Sequence, residues 1–211
     1  AAIAELLQRR DRVDPDTAAF AARVAQGHIG RARALARSSE ARERRAEVLR
    51  LPSRLTSLGA CLNAAAQLVE TAAADASAIT AELDAKERAA LSEALGMTAA
   101  GARPRSGQAA LRELEDQQKA RAKRLQRDSL DRVLTELTSF YRDVLIIQTG
   151  AGAGLINAEH SGSIEQIAAQ TTAERTVASL DAILACRHAL EANVAPLLAM
   201  ESLLISVAGV A

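Results

Sequence analysis

The sequence predicts an all-α protein, and three observations support that prediction. No segment alternates apolar and polar residues with the period of two that a half-buried strand would show. Apolar residues recur instead at spacings of three and four along nearly the whole chain. The 211 residues include only three aromatic ones. The core must therefore be built from Leu, Ile, Val and Ala, and Leu and Ala favour helices.

The first 37 residues predict three short helices. Residues 1–10 carry apolar side chains on one helical face. Asp14 can cap a second helix whose first position is the proline that follows, and Gly27 lies where that helix should end. A third helix is expected from about Gly30 to Ala36.

The composition becomes strongly charged after Ser38, over a predicted fourth helix. Pro52 either ends that helix or begins the next one, because proline is compatible with a helix start but not with a helix interior. The next helical pattern begins at Ser53.

The central part of the chain contains one further predicted helix start and the longest periodic segment. Asp84 is followed three residues later by Glu87, which is the spacing of a capping box. Residues 97–107 are the best candidate for a mobile loop. Residues 108–148 have helical periodicity throughout, and we expect a break near Asp128 because a single helix would be about 60 Å long.

The C-terminal part predicts three more helices. Capping-box spacings place helix starts at Ser163 and Thr171. The last two helices are expected over residues 172–192 and 196–208, with Asn193 in the turn between them.

Composition excludes several classes of protein. Basic and acidic residues balance at 26 each, so no net charge attracts nucleic acid or a membrane surface. The scarcity of aromatic residues argues against binding of single strands by base stacking. Cys61 and Cys186 have no metal or disulfide spacing and are expected to be small buried side chains in a reducing compartment. With no membrane segment, we expect a soluble cytoplasmic protein, and its start inside a helix at Ala1 suggests a piece of a longer chain.

No motif predicts catalysis. The segment "TGAGAGLIN", residues 149–157, superficially resembles a phosphate loop, but it follows a helix and lacks the lysine and hydroxyl that contact phosphate and magnesium. His28, His160 and His188 share no metal-ligand spacing. We therefore expect no enzymatic activity, no cofactor and no metal.

Two segments are candidates for contacts with other molecules, and the first is basic. Its five cations are Lys119, Arg121, Lys123, Arg124 and Arg127. One interpretation is a solvated helix face on which Glu115 pairs with Lys119 and Arg127 pairs with Asp131. The other is contact with DNA phosphates or with an acidic partner surface.

The second candidate is the last helix, which is apolar around more of its circumference than one core-facing stripe requires. The residues concerned are Leu197, Leu198, Met200, Leu203, Leu204 and Val207. The excess apolar surface is either a subunit interface or a sign that this helix is central in the bundle.

These segments resemble a known family. "DPDTAAFAARVAQG", followed by a glycine-led helix start, resembles the lid domain of AAA+ clamp loaders. "QKARAKRLQRDSLDRVLTELTSFYRDVLIIQTGA" and "ILACRHALEANVAPLLAMESLL" resemble the helical collar of the delta-prime subunit of bacterial DNA polymerase III. The resemblance divides the chain into a partial lid, residues 1–37, and a collar, residues 38–211.

The resemblance also implies a role. In the subunits that hydrolyse ATP, a lid arginine points at the phosphates, whereas Gly30 stands at that position here and Arg31 comes one residue later. The resemblance therefore implies a non-hydrolysing assembly subunit of the polymerase holoenzyme. Its implied partners are the delta and gamma/tau subunits, and DNA is contacted only indirectly. Because the ATPase-like domain of the family is not in this sequence, we expect the orientation of the lid to vary.

Overall fold

The computed structural model describes residues 2–95 and 105–210, and within those ranges every regular element is helical. The all-α prediction is therefore confirmed. No described helix is long and apolar enough to cross a membrane. Both cysteines are free and buried.

The first three helices form a small unit with its own core. They are α1 (Ala2–Asp11), α2 (Pro15–Val24) and α3 (Ile29–Arg37). Local chemistry sets their starts, since the Asp14 side chain accepts a hydrogen bond from the Thr17 amide at 2.8 Å. The buried apolar side chains shared by these helices are Leu7, Ala18, Ala21, Val24, Ala25, Ala32 and Leu35. We call α1–α3 the three-helix unit.

The rest of the described chain is built on a bundle of four helices, with two further helices packed on it. These helices are α4 (Ser39–Arg54), α5 (Leu58–Ala94), α6 (Arg105–Thr149), α7 (Ser161–Gln170), α8 (Ala173–Glu191) and α9 (Pro196–Ala208). The bundle consists of α5, α6, α8 and α9, and the two helices packed on it are α4 and α7. Helices α5 and α8 each pack against both α6 and α9, while α4 and α7 cover α6. The enclosed core includes the fully buried Phe140 with Leu130, Leu134 and Leu137 of α6.

Helices α5 and α6 extend beyond this core. Among the buried residues of the bundle core, α5 contributes none after Ala72 and α6 none before Leu130. Over residues 73–94 and 105–129 the two helices instead pair with each other, and we call this part the hairpin arm. The side chains buried there include Ala76, Thr80 and Gln118, so a mixed polar and small-residue seam replaces a large apolar one.

Two sequence-based boundaries are wrong. Asp84 lies inside α5 and begins no helix, because it and Glu87 pair across the hairpin arm with Arg121 of α6. Helix α6 has no break near Asp128, because it packs against α5 or α8 along its length.

Other boundaries differ by a few residues. Pro52 lies within the last turn of α4, where the missing amide costs one hydrogen bond just before the helix ends. The next helix starts later than expected, after Ser57, whose hydroxyl accepts from the Ala60 amide at 3.2 Å. Helix α7 begins at Ser161, so Ser163 lies in its first turn. Thr172 caps α8 because the Thr171 hydroxyl donates back to the Ile167 carbonyl of α7 at 2.8 Å.

The remaining predictions fall close to the structure. The last two helices, α8 and α9, agree with the predicted ranges to within one residue. Most of the predicted loop over residues 97–107 lies outside the described residues, while Arg105–Gly107 already belong to α6.

Candidate subunit interface

Helices α8 and α9 form a hairpin whose ends are fixed by local backbone chemistry. Asn193 takes a left-handed conformation, φ 63°, in the turn, and Pro196 occupies the first position of α9. Gly209 ends α9 with φ 67°, and a side chain there would collide with the Arg175 guanidinium. Arg175 in turn donates to the Ser206 carbonyl at 2.9 Å, so a cation of α8 satisfies an otherwise unpaired carbonyl at the C-terminal end of α9.

The six apolar residues predicted on α9 divide into two groups. Met200, Leu203 and Leu204 are at most 2% exposed, because α9 lies between α5 and α8, and Val207 packs partly against the same core. Leu197 and Leu198 are 39% and 61% exposed. The exposed large apolar side chains of α9 are therefore at its N-terminal end.

Further apolar side chains are exposed next to that end. Val194 precedes α9 in the turn, and Val177 and Leu184 are exposed on α8. Val177 and Leu184 are seven residues apart, so they lie two turns apart on one face of the helix. We call Val194, Leu197 and Leu198 the apolar tip.

The five cations of the basic segment do not form one continuous patch. Lys119, Lys123 and Arg124 are exposed on the hairpin arm. Arg121 turns toward α5, and Arg127 donates to the Asn193 side chain at 3.3 Å. Arg121 and Arg127 are therefore engaged with other elements of the chain.

The ion pairs predicted along this segment do not form. The Lys119 ammonium lies 3.6 Å from Asp116 rather than beside Glu115. Asp131 pairs with Arg187 of α8 at 2.6 Å, so it is not available to Arg127. Lys119 therefore pairs three residues away instead of four, whereas the partner of Asp131 lies on another helix and is not visible from sequence spacing.

The arginines around Gly30 are also engaged within the chain. Gly30 lies in the first turn of α3, which the His28 side chain caps by accepting from the Arg31 amide at 3.2 Å. Arg31 donates to Glu136 of α6 at 2.6 Å, and Arg33 donates to Asp11 of α1 at 2.9 Å. Neither guanidinium projects freely from the start of the helix, where a phosphate would bind.

The glycine-rich segment after α6 is an anchored connection. The amides of Gly150 and Ala151 return to carbonyls of the last turn of α6, at 3.3 Å each. Further on, the fully buried Asp143 accepts from the backbone amide of Asn157 at 2.7 Å. No group of three or more His, Cys, Asp or Glu side chains that could hold a metal occurs among residues 2–95 and 105–210.

One site was missed by sequence reasoning, and it lies where the three-helix unit meets the bundle. Arg45 of α4 is 4% exposed and contacts Glu136, Asn157 and Glu159. The sequence did contain a signal for this site, because Arg45 lies on the same face of α4 as the inward-facing Ala41 and Leu49. An arginine at an apolar-stripe position indicates a buried charge with partners, although the spacing cannot identify them.

Comparison with known proteins matches the C-terminal part of the chain to one family. Residues 109–208 match the family model described as DNA polymerase III, delta subunit, C terminal. The matched segment spans most of α6 and all of α7, α8 and α9, slightly less than half of the chain. The matched family is one of clamp-loader subunits, and it is what this segment is similar to. No curated protein and no solved structure shows significant similarity to the chain.

Proposed function

We propose that this chain is the C-terminal part of a non-catalytic assembly subunit of the bacterial clamp loader, of the delta-prime type. The observation that carries the proposal is the match of residues 109–208 to a clamp-loader subunit domain. In this role residues 38–211 form a collar that binds the delta and gamma/tau subunits, and residues 1–37 form part of an AAA+ lid. The assembled ring would support ATP-driven loading of the sliding clamp by its other members.

The delta-prime assignment rests on the start of α3. A lid that senses nucleotide needs an arginine free to approach phosphate at a helix N-terminus. Here Gly30 occupies that position, and the guanidinium of Arg31 is paired with Glu136. A subunit with this arrangement would help to position the other subunits in the ring, and its lid would not sense nucleotide.

The proposed contact with neighbouring subunits includes the apolar tip. Three apolar side chains in and beside the α8–α9 turn are each at least 39% exposed. Clusters of exposed apolar residues are frequent at interaction sites and uncommon on monomers when they are large. The tip lies within the matched segment, which is consistent with an assembly role for that segment.

Reconstitution with the delta and gamma/tau subunits tests the proposal. The chain is mixed with them, and the complex is measured by size-exclusion chromatography with light scattering. Leu198→Glu should weaken assembly, because it would place a charge in the apolar contact. Ile79→Glu is a matched control, since Ile79 is a similarly exposed apolar residue, 65% against 61%, but lies on the hairpin arm.

The outcomes separate the parts of the proposal. Failure of the unaltered chain to join the complex would contradict the assembly role itself. Normal assembly of both variants would contradict only the placement of the interface at the apolar tip. Equal loss in both variants would indicate an interface that is not confined to α8 and α9.

A second candidate function, the binding of nucleic acid, is favoured by Lys123 and Arg124. Both are exposed, and neither forms an ion pair with any residue in the described part of the chain. Together with the exposed Lys119, which lies 3.6 Å from Asp116, these cations of the hairpin arm could contact DNA phosphates.

A further inference from the structure

A partly buried ionic network connects the three-helix unit to the bundle, and Arg45, its most buried cation, is at its centre. The Arg45 side chain is 3% exposed, and all three of its guanidinium nitrogens have partners. Its Nε donates to Glu136 at 3.1 Å, and one Nη donates to Glu159 at 2.6 Å. The other Nη donates to the Asn157 side-chain oxygen.

Each of the two carboxylates is shared with an arginine of the three-helix unit. Glu136 uses one oxygen for Arg45 and the other for Arg31 of α3, at 2.6 Å. Glu159 uses one oxygen for Arg45 and the other for Arg23 of α2, at 2.8 Å. The two units are therefore connected through carboxylates that bridge two guanidinium groups each.

Two further contacts strengthen the same joint. Arg23 also donates to the Ile156 carbonyl, at 3.1 Å. The guanidinium groups of Arg23 and Arg45 lie 5.8 and 5.6 Å from the centre of the Phe20 ring. At these distances each cation is attracted to the face of the aromatic ring, and the contact is stronger where water is excluded.

Apolar packing contributes little to this connection. The buried apolar residues fall into two separate clusters, one within the three-helix unit and one within the bundle. Helix α4 touches both, because Ala41 packs on the first cluster while Val48 and Leu49 belong to the second. Arg45 lies on α4 between these two points of contact.

We propose that the Arg45 network is a lock that holds the three-helix unit in one orientation on the bundle. Charged groups require specific partners and geometry, whereas an apolar interface tolerates sliding. Removing Arg45 would leave Glu136 and Glu159 with one arginine each instead of two, which weakens the joint because a buried charge that loses a partner destabilises the fold. This inference goes beyond the proposed function. The variable lid orientation expected from the sequence should then occur only when the lock is broken.

Distance measurement between two spin labels tests the lock directly. One label is attached at Gln8 of α1 and the other at Ala178 of α8, which are both exposed. The two buried native cysteines are replaced by alanine so that only the introduced sites react. The parent chain should give one narrow distance distribution.

Arg45→Met removes the central charge and retains most of the side-chain volume. We expect it to lose the single narrow peak and give a broad distribution, with the helical content of the bundle retained. Arg44→Met is the matched control. Arg44 is the neighbouring arginine, and it pairs with Glu40 and Asp75 rather than with the network. This control should keep the narrow peak.

A second variant decides the question if Arg45→Met does not fold. Arg23→Met combined with Arg31→Met removes the two cations that the three-helix unit contributes to the network and leaves the pairs of Arg45 with Glu136 and Glu159 intact. Broadening in this double variant would support the lock. A narrow distribution in a folded variant of either kind, or a broad one in the parent chain, would overturn it.

Discussion

Arg121 of α6 places its guanidinium 2.5 Å from the Glu87 carboxylate of α5, across the hairpin arm and 34 residues away in sequence. The same guanidinium reaches Asp84, and the neighbouring Gln118 bonds to both Glu87 and Arg88. This polar cluster occupies the seam where a longer apolar core would otherwise lie. The arm is therefore held together largely by charge and hydrogen bonds.

The first prediction concerns acid. The hydrogen bond from Arg121, supported by Gln118, lowers the pKa of Glu87 from 4.5 to about 2. A carboxylate with a depressed folded-state pKa stabilises the fold above its unfolded pKa, and that stabilisation is lost as the pH falls through the folded value. The arm should therefore weaken between about pH 4.5 and pH 2.

Carboxyl-carbon NMR can follow Glu87 directly, and urea unfolding can be compared with the Glu87→Gln variant. The parent chain should have a higher free energy of unfolding than this variant, and this difference should be largest near neutral pH and shrink as the pH falls below 4.5. A titration midpoint close to 4.5 for Glu87 would refute the prediction.

The second prediction separates the roles of the basic side chains. Arg121→Ala should destabilise the arm without changing any affinity for DNA, because Arg121 is engaged with Asp84 and Glu87. If the arm contacts DNA, the double variant Lys123→Ala, Arg124→Ala should make the salt dependence shallower by about two phosphate contacts. Fluorescence anisotropy on duplex DNA over a range of salt measures this slope.

The assembly proposal gives the opposite expectation for this measurement. It predicts no salt-dependent DNA affinity in the parent chain, and normal assembly of the Lys123→Ala, Arg124→Ala variant with delta and gamma/tau. A steep salt slope that the double variant reduces would favour the nucleic-acid function instead.

The third prediction tests the division of α9 into a core face and an exposed end. Leu204→Ala should lower the free energy of unfolding by roughly 2–5 kcal/mol, because a fully buried leucine leaves a cavity. Leu198→Ala should change it by less than about 0.5 kcal/mol, because that side chain is 61% exposed. Chemical denaturation of the two variants gives both values, and similar losses would mean that α9 is buried all round.

Local signals in the sequence identified the helix ends correctly where a neighbouring group supplies the cap. Asp14 and Pro15 define the start of α2, and Pro196 defines the start of α9, because a cap or a fixed φ acts within one turn. The spacing of Asp84 and Glu87 wrongly predicted a helix start, because the same residue types also form ion pairs between helices. Only the position of Arg121 in space distinguishes the two uses.

The candidate sites were less predictable than the helices. The apolar excess of α9 was visible in sequence, but which half of it is exposed depends on α5 and α8. The Arg45 network joins residues up to 136 positions apart, and no local pattern encodes those partners. Sequence periodicity therefore gives the helices, while the charged connections between them require the packed structure.

The fourth prediction concerns Asp143, which fixes the connection between α6 and α7. The side chain is fully buried, and one oxygen accepts from the Asn157 amide and side chain at 2.7 and 2.9 Å. The other oxygen accepts from the Ile156 amide at 3.1 Å and from Arg142 at 2.7 Å. Both oxygens therefore face donors only.

Asp143→Asn replaces one acceptor by an amide group that must point its hydrogens at those donors. It should cost about 1–3 kcal/mol in the free energy of unfolding, because buried donors are left without acceptors. It should also disturb Asn157, which is a partner of Arg45, and so broaden the Gln8–Ala178 distance distribution. Asp181→Asn on the exposed surface of α8 is the control and should change neither quantity. Unchanged stability in Asp143→Asn would mean that Asp143 does not hold the connection in place.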